Sequence, residues 1–389
     1  MPRSAFGLAV LLLAALSAAA LGQAGSTAAS GSQPAEAPLY RVSFVRGDAV
    51  SGISASPAIK LPFQCTSDGT IFVSFVSTVP ADSGLPPPPP GLPPMLLTSV
   101  SPAGLGKTFR LDQVPELYIS SEEDHFASDS DVIFLVRASR ENKPVKRTYT
   151  VGSYHVESAE NAAEQHLYIV TFSREGEYRR TIEIGDAFRI LQIAVFPSGT
   201  FLAFGYDAKD HSPKLAMLKE DGALLKFLEI PKGDAPESII SGADAPRAHA
   251  IAPTELVPEG RSILVVQKDI TFPLLEVSEG GAVRAIHPKL PRGEQIEAAI
   301  PADQNLYVIA GQETGTGRSE EIIYEMSPGD GTALRRLLLS DGRTPSDLAC
   351  VHDGKFLSMD YRDGKVVPLI GSAEPAIRED QQKGGQSQR

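Results

Sequence analysis

Four polar residues of this 389-residue chain, Asp124, Gln192, Glu297 and Asp347, each stand seven positions before a turn residue: Asp131, Gly199, Gln304 and Gly354. Two further turns, at Gly69 and Gly260, place Pro62 and Pro253 at the same spacing. If these segments stack around one axis, the six positions meet at one mouth of a central channel. Carboxylates brought together repel one another unless protons or a cation intervene. Asp124, Gln192, Glu297 and Asp347 are therefore the candidate ligand-binding residues. Two kinds of chemistry are open to them: binding a polar ligand, or holding a hard cation such as calcium through oxygen ligands. A third reading is a wet channel mouth with loosely spaced acids.

Other candidate chemistry falls away on context. Gly104-Leu105-Gly106-Lys107-Thr108 approximates a phosphate-binding loop, yet Ser101 occupies the place of its first glycine and Phe109-Arg110-Leu111 alternates where a helix would have to start. Gly315-Thr316-Gly317-Arg318 lacks the βαβ setting of a dinucleotide fingerprint. The seven histidines show neither i, i+4 pairing nor zinc spacing. No Gly-x-Ser-x-Gly elbow occurs, and no catalytic residue is assigned. Cys65 and Cys350 each stand four residues before a turn glycine. A disulfide between them suits an oxidising compartment. Equivalent positions on successive repeats point in the same rotational sense, however, and this favours two buried free thiols over converging sulfurs.

The elements that would position these residues repeat six times. A small polar turn is followed at once by a short apolar run: Ser67-Asp68-Gly69-Thr70 before Ile71 to Phe75, and Pro197-Ser198-Gly199-Thr200 before Phe201 to Phe204, with four more like them. Further hairpins lie between, such as Leu215 to Leu218 with Leu224 to Ile230 across Glu220-Asp221-Gly222, so each repeat offers four strands. A propeller blade needs about 40 to 50 residues. The first three intervals are longer, leaving room for loops at Pro86 to Pro94 and at Arg140 to Gln165, the latter with a short helix expected around Ala159 to Glu164. The last repeat has three strands, and Leu39 to Phe44 is a spare strand with Tyr40, Val42 and Phe44 on one face. These features predict an all-β, six-bladed β-propeller whose last blade is closed by the N-terminal strand, which leaves no open edge.

Thr344-Pro345-Ser346-Asp347-Leu348-Ala349 before Asp353-Gly354-Lys355-Phe356-Leu357 resembles the NHL-repeat and TolB-like six-bladed propellers. The resemblance extends over most of the chain after the N-terminal segment. It implies binding of a ligand or a protein, with no shared chemistry.

Composition bounds the rest. Arg3, the apolar stretch Leu8 to Leu16 and the small residues after it read as a secretory signal peptide over 1–24, followed by a flexible spacer over 25–38, the propeller over 39–371 and a polar tail over 372–389. The apolar stretch is too short to span a bilayer, so the expected location is secreted or periplasmic, without membrane insertion. With 36 Lys and Arg against 48 Asp and Glu, the net charge is -12, which disfavours nucleic acid as a partner. The expectation is an exported propeller that binds a protein, peptide or small ligand, with no cofactor unless calcium occupies the channel mouth. The alternative is a metal-assisted hydrolase or lactonase resembling the gluconolactonase propellers, with Asp124, Glu297 and Asp347 as ligands or general base.

Overall fold

The computed structural model describes residues 37–48, 64–76, 95–101, 104–151, 154–185, 188–209, 212–230, 254–267, 273–291, 294–313, 319–340, 342–362 and 365–376. Residues 1–36 and 377–389 lie outside them, as do Pro62, the prolines of 86–94, Pro253 and Gly315 to Gly317. Within these residues the fold is all-β. The N-terminal strand is β1 (Leu39–Arg46), followed by a four-stranded sheet of β2 (Gln64–Cys65), β3 (Ile71–Val76), β4 (Met95–Ser101) and β5 (Gly104–Arg110). The second sheet has β6 (Tyr118–Ala127) and β7 (Asp131–Ser139), then, after a separate hairpin of β8 (Pro144–Val151) and β9 (Tyr154–Asn161), β10 (His166–Ser173) and β11 (Tyr178–Ile184). The third holds β12 (Phe188–Val195), β13 (Phe201–Asp207), β14 (Pro213–Leu218) and β15 (Leu224–Phe227). The fourth holds β16 (Thr254–Glu259), β17 (Ser262–Gln267), β18 (Leu274–Ser278) and β19 (Val283–Ile286).

The remaining strands form one eight-stranded sheet: β20 (Gln295–Ala302), β21 (Asn305–Glu313), β22 (Ser319–Met326), β23 (Ala333–Leu339), β24 (Leu348–His352), β25 (Lys355–Arg362) and β26 (Lys365–Pro375), with β1 between β23 and β26. Strand β1 runs antiparallel to β26 from Tyr40↔Pro375 to Arg46↔Leu369, and parallel to β23 from Leu39↔Arg336 to Val42↔Leu339. The last strand thus reaches past Gly371, because Ser372 to Pro375 complete the ladder with β1.

The first strands of the sheets stand side by side, β2 beside β6, then β12, β16, β20 and β24, and β24 lies beside β2 again. This is a propeller-like arrangement of small sheets. The second strands β7, β13, β17 and β21 carry runs buried on both faces: Val132 to Val136 of β7 are fully enclosed, as an unbroken apolar run in a covered strand should be. Side chains from the second, third and fourth sheets merge into one apolar cluster that includes Leu135, Ile193, Phe201, Leu215, Val265 and Val277. Each enclosed side chain of this size contributes about 1.5–3 kcal/mol. Positive φ at Gly69 (77°) and Gly199 (85°) closes the turns that lead into β3 and β13.

Two expectations are corrected. The short helix expected around Ala159 to Glu164 does not form: 159–161 end strand β9 of the β8–β9 hairpin, registered from Pro144↔Asn161 to Val151↔Tyr154, and 162–164 follow it as irregular chain. The hairpin is rich in β-branched and aromatic residues, Val145, Thr148, Tyr149, Thr150, Val151, Tyr154 and Val156, which favour strands. The free-thiol expectation is also overturned, because Cys65 and Cys350 form a disulfide with Cα atoms 5.5 Å apart. The reason lies in turn length. Three residues separate Thr66 from its partner Thr70, whereas two separate His352 from Lys355. Counting back from the glycine therefore lands on different rungs: Cys65 is one residue before the last pair of its hairpin, and Cys350 is two before. A one-residue offset turns a side chain to the opposite face of its strand, so the two sulfurs meet in the gap between neighbouring sheets.

Candidate functional site

A cavity of about 190 Å³ opens among the first strands. It is lined by Gln64 of β2, Asp124 and His125 of β6, Gln192 of β12, Glu255 of β16, Glu297 of β20, Glu321 of β22, and Leu348 and Ala349 of β24. Of the predicted positions, Asp124, Gln192 and Glu297 are brought together here. Asp347 is not in the lining: it ends a short 3-10 turn, Pro345–Asp347, where its Oδ2 accepts the Thr344 N–H at 2.9 Å.

Local backbone geometry explains how these side chains reach the cavity. The β6–β7 register slips between Glu122 and Asp124, the β12–β13 register between Ile190 and Gln192, and the β20–β21 register between Ile296 and Ala298. Each slip is a bulge that adds a residue to the first strand and re-aims its neighbours. Glu297 is itself the extra residue of its bulge.

Some of the lining is committed to holding the first strands together. Gln64 Nε2 donates to the His125 carbonyl at 2.8 Å, and its Oε1 accepts the Ala127 N–H at 2.7 Å. One strand further on, Asp124 Oδ2 accepts the Ile193 N–H at 2.9 Å. Each is a side chain of one first strand gripping the backbone of the next; the bond to the Asp124 carboxylate contributes about 1.5–3 kcal/mol and each neutral bond of Gln64 about 0.5–1.5 kcal/mol. His125 is buried, with Nδ1 2.7 Å from Glu122 Oε1. That contact fixes the ring and leaves Nε2 as its other polar atom. Among the described residues no Lys or Arg lines the cavity, and four carboxylates and two amides make up most of the polar wall they provide.

Gln64, His125, Glu255 and Glu321 are lining residues that spacing did not reveal. Glu255 follows Pro253 by two positions, and Gln64 follows Pro62 by two. Alternation alone would have placed them on the same strand face as those prolines. Glu321 belongs to a third strand, where no repeat spacing points.

A second cavity of about 420 Å³ lies at the turn end of the first strands and shares Cys65, Pro258 and Pro301 with the first. Two of its acids are tied to backbone. Asp129 Oδ1 accepts the Ser67 N–H at 2.9 Å, and Asp303 accepts the N–H groups of Asp353 and Gly354 at 3.2 and 2.7 Å. These carboxylates link the turns of neighbouring sheets.

Among the described residues, no three His, Cys, Asp or Glu side chains form a metal-ligating set, and no helix is long and apolar enough to cross a membrane. No protein-family model matches the chain, and no curated protein matches its sequence. Among solved structures, a protein of unknown function from Dyadobacter fermentans is similar at 10% identity and a TM-score of 0.43, over 85% of this chain and 99% of that one. A protein of unknown function from Bacteroides caccae is similar at 11% identity and 0.39, over 76% and 93%. The hydrazine synthase of Kuenenia stuttgartiensis is similar at 11% identity and 0.37, over 84% and 99%. These similarities bear on neither the site nor the reaction.

Proposed function

We propose that the chain is an exported six-bladed propeller of the NHL or TolB-like kind that binds a small ligand, or the tip of a protein or peptide, at its channel. The blade count treats the eight-stranded sheet as two four-stranded units, β20–β23 and β24–β26 with β1, joined by the parallel β1–β23 contact. The cyclic order of first strands supports it. Export is read from the N-terminal sequence, and the disulfide is compatible with an oxidising compartment.

The observation that supports the binding reading is the composition of the 190 Å³ cavity, where Asp124, Glu255, Glu297 and Glu321 stand with two glutamines and, among the described residues, no Lys or Arg. Sites for drug-sized ligands occupy about 300–1,000 Å³, so this cavity suits one small group rather than a whole molecule of that size. Fixed carboxylates favour a cation that can donate hydrogen bonds, such as an ammonium or guanidinium group. The test uses fluorescein-labelled hexalysine and hexaglutamate peptides at 0.15 M salt. Hexalysine should bind, and Glu297→Gln should weaken it by about tenfold, the loss of one charged contact. Because a net charge of -12 attracts cations everywhere, binding unaffected by that substitution would place the contact outside the channel and defeat this reading.

The competing reading, a metal-assisted hydrolase, draws on His125, which Glu122 orients on the cavity wall. The described residues do not assemble a ligand set for its metal. A melting temperature that rises with calcium and falls back with EDTA would favour this reading over the first.

A further inference from the structure

We propose that the Cys65–Cys350 disulfide is a redox latch on the channel wall, holding the first sheet against the last while oxidised and letting that seam open when a small dithiol reduces it. The bond joins strands 285 residues apart, β2 and β24, at the place where the cycle of first strands returns to its start. Cys65 lines both cavities and is half-buried, whereas Cys350 is completely enclosed. A reductant can therefore approach along the channel and meet the Cys65 sulfur first.

Among the described residues the ties around β2 are one-sided. Gln64 is bonded to the backbone of β6, Ser67 to Asp129, and Asp68 to Arg174 through both carboxylate oxygens. All of these partners belong to the second sheet or its turns. Toward the last sheet the disulfide is accompanied by the packing of Gly69 against the His352 ring. Cutting the bond thus leaves the first sheet attached on one side and loosened on the other.

The chemistry balances with a dithiol as co-reactant. Its thiolate attacks Cys65 Sγ and gives a mixed disulfide, Cys350 leaves and takes up a proton, and the second thiol of the reductant releases Cys65 as a thiol. Two electrons and two protons pass to the protein, and the reductant departs as its own disulfide. The inference gains its regulatory meaning from the channel being the ligand site, but the opening is measured without any ligand, so the two can fail separately.

The test is backbone hydrogen exchange on the full chain, oxidised and after dithiothreitol under native conditions. Reduction should speed exchange by about tenfold or more over 64–72 and 348–357 while leaving 201–218 unchanged, and reoxidation should restore protection. The double variant Cys65→Ser, Cys350→Ser should show the reduced pattern whether or not dithiothreitol is present. If that variant does not fold, the reduction arm stands alone. A bond that resists dithiothreitol until the protein unfolds, exchange that rises evenly in every sheet, or exchange that does not change would each overturn the latch.

Discussion

The seam between the first and last sheets and the middle of the molecule are held in different ways. In the middle, side chains of the second, third and fourth sheets interdigitate in one apolar cluster. Where the ends of the chain come together there are two long-range devices: a disulfide between β2 and β24 at the seam, and the N-terminal strand β1, which lies within the last sheet between β26 and β23. Packing is strong where sequence neighbours are also neighbours in space, because little loop entropy is spent in bringing them together. The seam joins the two ends of the chain, and closing so long a loop costs more. The difference teaches that a closed ring is only as stable as its closure, and that closure is where covalent and strand-exchange devices are concentrated.

The comparison is tested hardest at β1. Deleting Leu39 to Arg46 removes eleven ladder pairs, seven to β26 and four to β23, and exposes the cavity that enclosed Val42 would leave. This should consume most of a typical stability of about 5–15 kcal/mol and leave a protein without a cooperative urea transition. A sharp transition near the wild-type midpoint would show that the seam needs no such strand.

The counterpart in the middle is Phe201→Ala. Phe201 is fully enclosed and pairs across to Val195 and Leu218, so truncation leaves a cavity that neighbouring sheets cannot fill. The expected cost is about 3–5 kcal/mol with the transition still cooperative, read by urea titration. If Phe201→Ala destroyed cooperativity while the β1 deletion did not, the ranking of seam and middle would be reversed.

Much of this architecture was legible because turn chemistry is local. Gly69, Gly199 and Gly222 adopt the left-handed conformation their turns require, and the apolar runs after the turns are the buried second strands. What spacing could not convey is the rung on which a residue sits. One extra residue in the Thr66–Thr70 turn relative to His352–Lys355 hid the disulfide. Bulges at Glu123, Leu191 and Glu297 likewise add single residues, so counting from turns reached Asp124, Gln192 and Glu297 but passed over Gln64 and Glu255. Asp347 keeps the count and still misses the cavity, because the 3-10 turn before β24 carries it elsewhere. Register depends on hydrogen bonds between strands distant from the counted glycine, and a motif read along one strand does not contain them.

A smaller effect sharpens the electrostatic side of the comparison in the fourth sheet. Burial, with some help from the Glu276 charge and against Arg284, raises the Glu259 carboxyl from its ordinary 4.5 to about 7, and its Oε2 is enclosed without a hydrogen-bond partner. A raised acid is protonated in the folded chain at pH values where the unfolded chain has already ionised. Stability should therefore fall as pH rises from about 4.5 to about 7, with the whole penalty present above that window. Glu259→Gln should remove this dependence, matching the wild type at pH 4 and exceeding it at pH 8 by about 1 kcal/mol, a figure reduced for partial solvent screening. Parallel curves for the two proteins would mean that Glu259 is not held in an apolar setting.

The smallest expected effect lies at the seam and separates two roles for Asp347. Its carboxylate accepts the Thr344 N–H at 2.9 Å while its own N–H donates to the Thr344 carbonyl at 2.9 Å, so the residue ties the start of β24 to the turn before it. Removing an acceptor of this kind costs about 0.5–1 kcal/mol. Asp347→Ala should lower the unfolding free energy by that amount, read as a lower urea midpoint at unchanged slope, and Asp347→Asn by less, since the amide oxygen still accepts. If Asp347 instead belonged with Asp124 and Glu297, deleting its charge would relieve repulsion and leave stability equal or slightly higher. The hexalysine affinity decides the matter independently of stability: Asp347→Ala should leave it unchanged where Glu297→Gln weakens it. A matching loss in both variants would return Asp347 to the cavity and show that the 3-10 turn rearranges when ligand binds.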